Sequence, residues 1–171
     1  MARLAAHGIA LEPPPGWEAR IFVPPGGAAT LHAGSFALPI TDGEYGPTAV
    51  RSMRASDAFA ALTEFIPDKH LRPDAGLFAN AQPRELRARD FSPHALPNTE
   101  PGRLGLQRFF SAAGRAFCLH LVLGSPRAKE LRLHELDALL GSLAIRGPRE
   151  PDRGCCTPEG GAARGGELPD L

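Results

Sequence analysis

Hydrophobic and polar residues alternate in several short stretches of this chain, which is the pattern of half-buried β-strands. The pattern predicts strands at residues 9–11, 17–23 and 30–39, with turns rich in proline and glycine between them. A further short strand is predicted at 85–89, within a long polar connection. Connections of this length often carry binding residues.

The strongest alternation predicts a β-hairpin within residues 103–124. Its tip is placed at Ala113 and Gly114, since glycine adopts the positive φ that a tight turn requires. This register brings Phe110 opposite Phe117, and such cross-strand pairs are the main source of sheet stability. The two faces of the hairpin then differ in character. The less apolar face carries five side chains: Gln107, Phe109, Cys118, His120 and Val122.

A helical spacing of leucines predicts a helix at residues 128–143, which is expected to pack on the apolar face of the hairpin. The leucines with this spacing are Leu131, Leu133, Leu136, Leu139, Leu140 and Leu143. A shorter helix is predicted at 49–54. Residues 58–65 fit two structures. They form either a helix capped by Ser56 and Asp57, which the alanine content favours, or a strand that ends before Pro67.

Together, these elements predict a single α+β domain at residues 1–146, with an antiparallel sheet of about five to seven strands and the C-terminal helix on one face. Residues 147–171 are rich in glycine and proline and poor in large apolar residues, so they are predicted to form a disordered tail. The tail contains Cys155 and Cys156, whose adjacency fits no zinc-ligand spacing. We interpret them as an incidental pair.

The chain has 171 residues with 19 basic and 19 acidic side chains, so its formal net charge is zero. A nucleic-acid interface usually requires a basic surface, and the overall charge gives no sign of one. No apolar run reaches the roughly 18 residues of a membrane span or resembles a signal peptide, so a cytoplasmic protein without membrane contact is expected. No phosphate-binding loop or metal-ligand spacing occurs, and no cofactor is predicted.

Cys118 and His120 are the strongest candidates for catalysis. They share one strand face, but residues two positions apart lie about 6–7 Å apart at Cα, which is poor geometry for direct proton transfer. We therefore favour a buried thiol beside a histidine that is bonded to Gln107. An enzyme that uses Cys118 and His120 is the alternative.

Four residues are candidate positions for binding a ligand or partner: Trp17, Arg108, Arg115 and His120. Arg108 interrupts the apolar face of the hairpin, and Arg115 flanks its tip. An arginine among apolar neighbours needs a carboxylate, a phosphate or solvent. Both arginines therefore either pair with an acidic residue of this chain or contact an anion or a partner. Trp17 follows a turn at Gly16 and fits a core position better than a ligand platform.

Several segments resemble a family of small actinobacterial proteins of uncharacterised activity: GWEARI, LHAGSFALP, SDAFAALTEF, DFSP and QRFFSAAGRAFCLHLVLGS. The resemblance spans residues 7–146 and is most specific over the hairpin. In that family the segment matching residues 57–65 is richer in β-branched residues, so the resemblance favours the strand at 58–65. It implies no activity, cofactor or catalytic residue.

The order of elements is similar to that of PsbP-like domains, which share a proline and Gly-Trp opening, an antiparallel sheet and a C-terminal helix. Many such domains bind partners or assist assembly, so the leading hypothesis is a non-enzymatic module that binds a protein. An exposed apolar patch beside Arg108 or Arg115 would support it. The second hypothesis is a small-molecule site between helix and sheet, lined by residues such as Trp17, Phe36 and Phe59. The sequence leaves the oligomeric state open.

Overall fold

The computed structural model describes residues 3–95 and 100–147. Eight strands and two α-helices follow one another along this part of the chain: β1 (Leu4–Ala6), β2 (Ile9–Leu11), β3 (Glu18–Phe22), β4 (Thr30–Gly34), α1 (Pro47–Ser52), β5 (Ala58–Phe65), β6 (Leu104–Ala112), β7 (Arg115–Leu123), α2 (Ala128–Ser142) and β8 (Ala144–Ile145). Two short 3-10 turns, Gly76–Phe78 and Ala88–Asp90, lie in the connection between β5 and β6.

The strands form two antiparallel sheets. The larger sheet has the strand order β3-β4-β5-β7-β6, and the smaller sheet has the order β1-β2-β8. Helix α2 buries Leu136, Leu139 and Leu140 in the main hydrophobic core, together with the leucines and phenylalanines on one face of β6 and β7. The predicted α+β class, the antiparallel pairing and the helix on one face are therefore confirmed, with the strands divided between two sheets.

The other face of the larger sheet is covered by α1 and the segment that precedes it. Ala49 and Met53 pack there against Phe59 and Val122, with Phe36 at the border of this second core. An aromatic group formed by Phe65, Phe78 and Phe109 lies further along the same face. Polar side chains occupy the middle of the face, between these two apolar regions.

The β6–β7 hairpin has the predicted register. Phe110 lies opposite Phe117, and their rings are stacked with centroids 5.6 Å apart. Ala113 and Gly114 form the tip with φ values of 51° and 73°. Both values are positive, as a two-residue type I′ turn requires. Alanine adopts this conformation at a cost, which makes the tip a site of local strain.

Residues 58–65 form strand β5, as the resemblance favoured. The strand pairs with β4 on one side and with β7 on the other, and six of its eight residues are buried. Its alanines would suit a helix in isolation. Burial between two neighbouring strands outweighs that local preference, because propensity differences are only tenths of a kcal/mol to about 1 kcal/mol per residue.

The prediction of a strand at 85–89 is wrong. The chain there turns into the 3-10 segment Ala88–Asp90. The backbone N–H of Leu86 donates to Asp137 Oδ1 on α2 at 2.9 Å, and the Leu86 side chain joins the main core. This attachment draws the segment towards the helix and away from the edge of the sheet.

Two further expectations are corrected, and one lies outside the described residues. The strand predicted at 30–39 ends at Gly34, after which the chain bends towards α1. Leu131 on α2 is 62% exposed and does not pack on the sheet. The predicted tail, apart from Gly147, lies outside the residues that the structure describes, and so do Cys155 and Cys156.

Candidate functional site

Arg108 lies on β6, at one edge of the larger sheet, and its Nη1 donates to the carbonyl of Gln107 at 3.0 Å. Its Nη2 is 3.7 Å from Asp90 Oδ1, and its side chain is 47% exposed. A concavity of about 580 Å³ opens beside it, between β6 and the 3-10 turn Gly76–Phe78. Leu77, on that turn, is 63% exposed. We call this region the Arg108 surface; it is lined by Gly76, Leu77, Asn80, Ala81, Pro83, Gln107, Arg108 and Phe109.

Arg115 is buried, and each of its three guanidinium nitrogens donates a hydrogen bond. Its Nε and Nη2 donate to the two carboxylate oxygens of Glu64 at 2.7 and 2.6 Å, and its Nη1 donates to the carbonyl of Arg146 at 3.0 Å. The guanidinium also lies over the ring of Phe117. Gly8 packs against it so closely that a Cβ there would lie 2.7 Å from Nη1. Arg115 therefore joins the smaller sheet to the larger one.

A groove of about 770 Å³ opens beside this ion pair, between the β1–β2 turn and the ends of β3 and β5. Val23 and Ile66 expose 48% and 59% of their surface in its walls. Arg3 and Arg146 also line it, and neither forms an ion pair with another described residue. An apolar lining with positive charges suits a ligand that has an apolar body and an acidic group.

The Cys118 and His120 side chains lie closer together than their Cα spacing suggested. Cys118 Sγ is 3.1 Å from His120 Nε2, so the expectation of poor geometry for proton transfer is wrong. Gln107 Nε2 lies 3.4 Å from both atoms, which gives the expected contact between Gln107 and His120. The ring of Tyr45 covers the pair from the loop before α1, with its centroid 4.5 Å from that of His120.

The protonation states of this pair do not favour catalysis. Burial raises the pKa of the Cys118 thiol to about 11, although the hydrogen bond from Gln107 lowers it in part. Burial also lowers the pKa of His120 to about 4. Near neutral pH the two groups are a thiol and a neutral imidazole. A nucleophilic cysteine acts as the thiolate, which this environment disfavours.

A second buried histidine lies in the same register row across the sheet. His32 on β4 is opposite Ala61, which is opposite His120, which is opposite Gln107. The ring nitrogen Nε2 of His32 is 2.9 Å from the carbonyl of Glu44. Because a carbonyl only accepts hydrogen bonds, this nitrogen carries the proton. Burial lowers the pKa of His32, so both histidines are neutral near pH 7.

Three residues at these sites were not predicted from the sequence: His32, Tyr45 and Glu64, the acidic partner of Arg115. The alternating pattern placed His32 on a strand. That His32 lies in the same register row as His120 follows only from the order of the strands in the sheet. Tyr45 and Glu64 reach their contacts from segments that are distant in sequence from the hairpin. Leu77 is an apolar residue in a polar connection, and nothing else in the sequence indicated that it would line a surface site.

Trp17 is a core residue. It is 8% exposed, and its Nε1 donates to Glu135 Oε2 on α2 at 3.0 Å. Phe36 and Phe59 lie on the opposite face of the sheet. A cavity between α2 and the sheet measures about 10 Å³, roughly enough for one water molecule at most. The three aromatic residues therefore do not line one space between helix and sheet.

No family model, curated protein or solved structure matches this chain. The resemblances drawn from the sequence therefore stay predictions. Across residues 3–95 and 100–147, no helix has both the length and the apolar character needed to cross a membrane. In the same ranges, no three His, Cys, Asp or Glu side chains are grouped as metal ligands.

Proposed function

We propose that this chain is a non-enzymatic cytoplasmic module that binds a protein partner through the Arg108 surface. The observation that carries the proposal is an exposed arginine with a weak intramolecular partner next to an exposed leucine, in a concave surface. Arginine is enriched at the centres of protein interfaces, and exposed apolar surface rimmed by polar residues marks interaction sites. The resemblance to PsbP-like domains, which rests on the sequence alone, predicts the same class of function, although fold alone does not fix function.

The charge state of the Cys118–His120 pair supports a binding role over an enzymatic one. A thiol whose pKa is about 11 and an imidazole whose pKa is about 4 leave little nucleophile and a weak base near pH 7. Tyr45 also covers the pair on the side away from β6 and β7. Among residues 3–95 and 100–147, no aromatic ring covers Arg108 in this way.

The test is a peptide-binding measurement with a matched pair of variants. Peptides are selected from a random library on the immobilised full chain, and the dissociation constants of the synthetic peptides are measured by fluorescence polarisation. Leu77→Asp should weaken binding by about tenfold or more, because it places a charge in the centre of the contact. Leu131→Asp is the control, since Leu131 is 62% exposed on α2, compared with 63% for Leu77. Equal affinities for the two variants would reject the Arg108 surface as the binding site.

A second candidate function is binding of a small acidic molecule, and the groove beside Arg115 favours it. Its volume of about 770 Å³ falls within the range of small-molecule sites. Native mass spectrometry of the full chain would detect a retained ligand as mass that disappears on denaturation. An Ile66→Asp variant that keeps this added mass would exclude the groove as its site.

A further inference from the structure

In the part of the chain that the structure describes, other backbone segments bond to the outer edge of β6 near its two ends but not in its middle. Gly105 exchanges both backbone hydrogen bonds with Ser92, at 2.8 and 2.9 Å. Further along, the N–H of Ser111 donates to the carbonyl of Asn80 at 3.0 Å. Alternate residues of a strand present their N–H and C=O groups to the same side. The backbone N–H groups of Gln107 and Phe109, which lie between these positions, therefore also face outwards.

The connecting chain leaves the edge between these two closures. After the bridge of Ala81 to Ser111, the side chain of Gln82 donates from Nε2 to the carbonyl of Leu143 at 3.0 Å, on the helix side of the molecule. Leu86 is then held by α2, and the chain returns to the edge at Ser92. Among the described residues, none accepts a hydrogen bond from the outward N–H of Gln107 or Phe109. In the same part of the chain, the outward carbonyls are bonded only by exposed side chains: that of Gln107 accepts from Arg108 Nη1 at 3.0 Å, and that of Phe109 accepts from Asn80 Nδ2 at 3.4 Å.

We propose that this gap binds an extended segment of the partner protein as an added antiparallel strand, an inference that rests on the function proposed for the Arg108 surface. The two outward N–H groups are two residues apart, which is about 7 Å along a strand. The carbonyls at alternate positions of an extended peptide have the same spacing. Strand addition would supply these donors with acceptors, and main-chain hydrogen bonds of this kind give peptide-binding domains much of their affinity.

The side chains around the gap define the chemistry of the segment. An added strand alternates its side chains between the two faces of the sheet. On one face it would meet Phe109 and the exposed Leu77, which favour apolar side chains. On the other face it would meet Arg108, whose nearest carboxylate is 3.7 Å away and which favours an acidic side chain. The segment therefore has an acidic residue between two apolar ones.

Two variants at Gln107 separate strand addition from side-chain contact. Gln107→Ala and Gln107→Pro both remove the side chain that touches Cys118 and His120. Only the proline variant also removes the outward N–H. Because this N–H points away from β7, proline removes no hydrogen bond of the β6–β7 ladder, and proline is tolerated at such edge positions.

The probe is a capped peptide with valine, glutamate and valine at its centre, titrated into the ¹⁵N-labelled full chain. We expect the largest amide shifts at Gln107 and Phe109, and slower hydrogen exchange of both amides on binding. Gln107→Pro should bind about tenfold more weakly than Gln107→Ala, since both variants lack the same side chain and only the proline variant loses a main-chain hydrogen bond. The exchange measurement on the unmodified chain tests the inference even if the proline variant does not fold.

The outcomes distinguish the two proposals. If Leu77→Asp abolishes binding while Gln107→Pro and Gln107→Ala bind alike, the Arg108 surface stands and strand addition is overturned. Unchanged protection of the Gln107 and Phe109 amides in the bound state would also overturn it. If shifts appear only at residues of the groove beside Arg115, both proposals for the β6 edge fail.

Discussion

Acidification should destabilise this protein through His120. In the folded chain, burial lowers the pKa of His120 from its ordinary value of 6.5 to about 4. As the pH falls below 6.5, the unfolded chain binds a proton that the folded chain excludes. The free energy of unfolding therefore falls with pH until the pH approaches 4, where the folded chain also binds the proton.

The size of the effect follows from the two pKa values. The difference over the whole window corresponds to about 3 kcal/mol, and the part lost between pH 7 and pH 5 is about 2 kcal/mol. His120 faces the thiol of Cys118, the amide of Gln107 and the ring of Tyr45, none of which offers a negative charge near neutral pH. His32 changes stability in the same direction, since burial lowers its pKa too.

The assay is urea unfolding at pH 7 and pH 5, followed by the fluorescence of Trp17, the single tryptophan of the chain. His120→Gln cannot bind the proton, so its stability should depend less steeply on pH than that of the parent, by about 2 kcal/mol between these values. His134→Gln, which replaces an exposed histidine, should follow the parent. Parallel pH dependence for the parent and His120→Gln would refute the reasoning, whatever their stabilities at pH 7.

Three further predictions concern the hairpin tip and the joint between the sheets, by which we mean the contacts of Arg115 with Glu64 and with the carbonyl of Arg146. The free energy of unfolding in denaturant tests all of them. Glu64→Gln should cost about 3 kcal/mol, because it leaves the buried charge of Arg115 without a counter-charge; a loss below about 1 kcal/mol would contradict this. Gly8→Ala should destabilise the protein by about 2 kcal/mol, since Gly8 has a φ of 76° and a Cβ there would clash with Arg115. By contrast, Gly141→Ala on α2 should stabilise the protein by about 0.5–1 kcal/mol. Ala113→Asn should stabilise by about 0.5–1 kcal/mol, because asparagine adopts the positive φ of this type I′ position more readily; an unchanged or lower stability would argue against strain at the tip.

The hairpin was predictable because all its determinants are local. A two-residue turn fixes the pairing of the residues on either side, and Gly114 marks that turn. Alternation then assigns each side chain to a face. Once the turn was placed, the neighbourhood of Cys118, His120 and Gln107 followed, including the contact between Gln107 and His120. The short distance between Cys118 and His120 did not follow, because it depends on how the side chains lean and not on Cα spacing.

The joint between the sheets was not predictable from local pattern. Glu64 and Arg115 are 51 positions apart, and the carbonyl that completes the set belongs to Arg146. The wrong strand at 85–89 has the same origin. Leu86 is apolar in a polar segment, which fits a strand locally, but its backbone and side chain are both used by α2. Contacts between distant segments decide such cases.

The two outer strands of the larger sheet, β3 and β6, differ in how the rest of the chain covers them. Strand β3 contacts β1 of the smaller sheet, and its Glu18 and Arg20 side chains hold the segment that follows β4. Strand β6 is closed at both ends by the connecting chain, whereas its middle N–H groups, of Gln107 and Phe109, have no acceptor among the described residues. Exposed edges favour unwanted pairing, and proteins usually protect them. A strand nine residues long with an opening only in the middle, beside an arginine and an exposed leucine, is better explained as a place for a short, selected segment than as an unprotected edge.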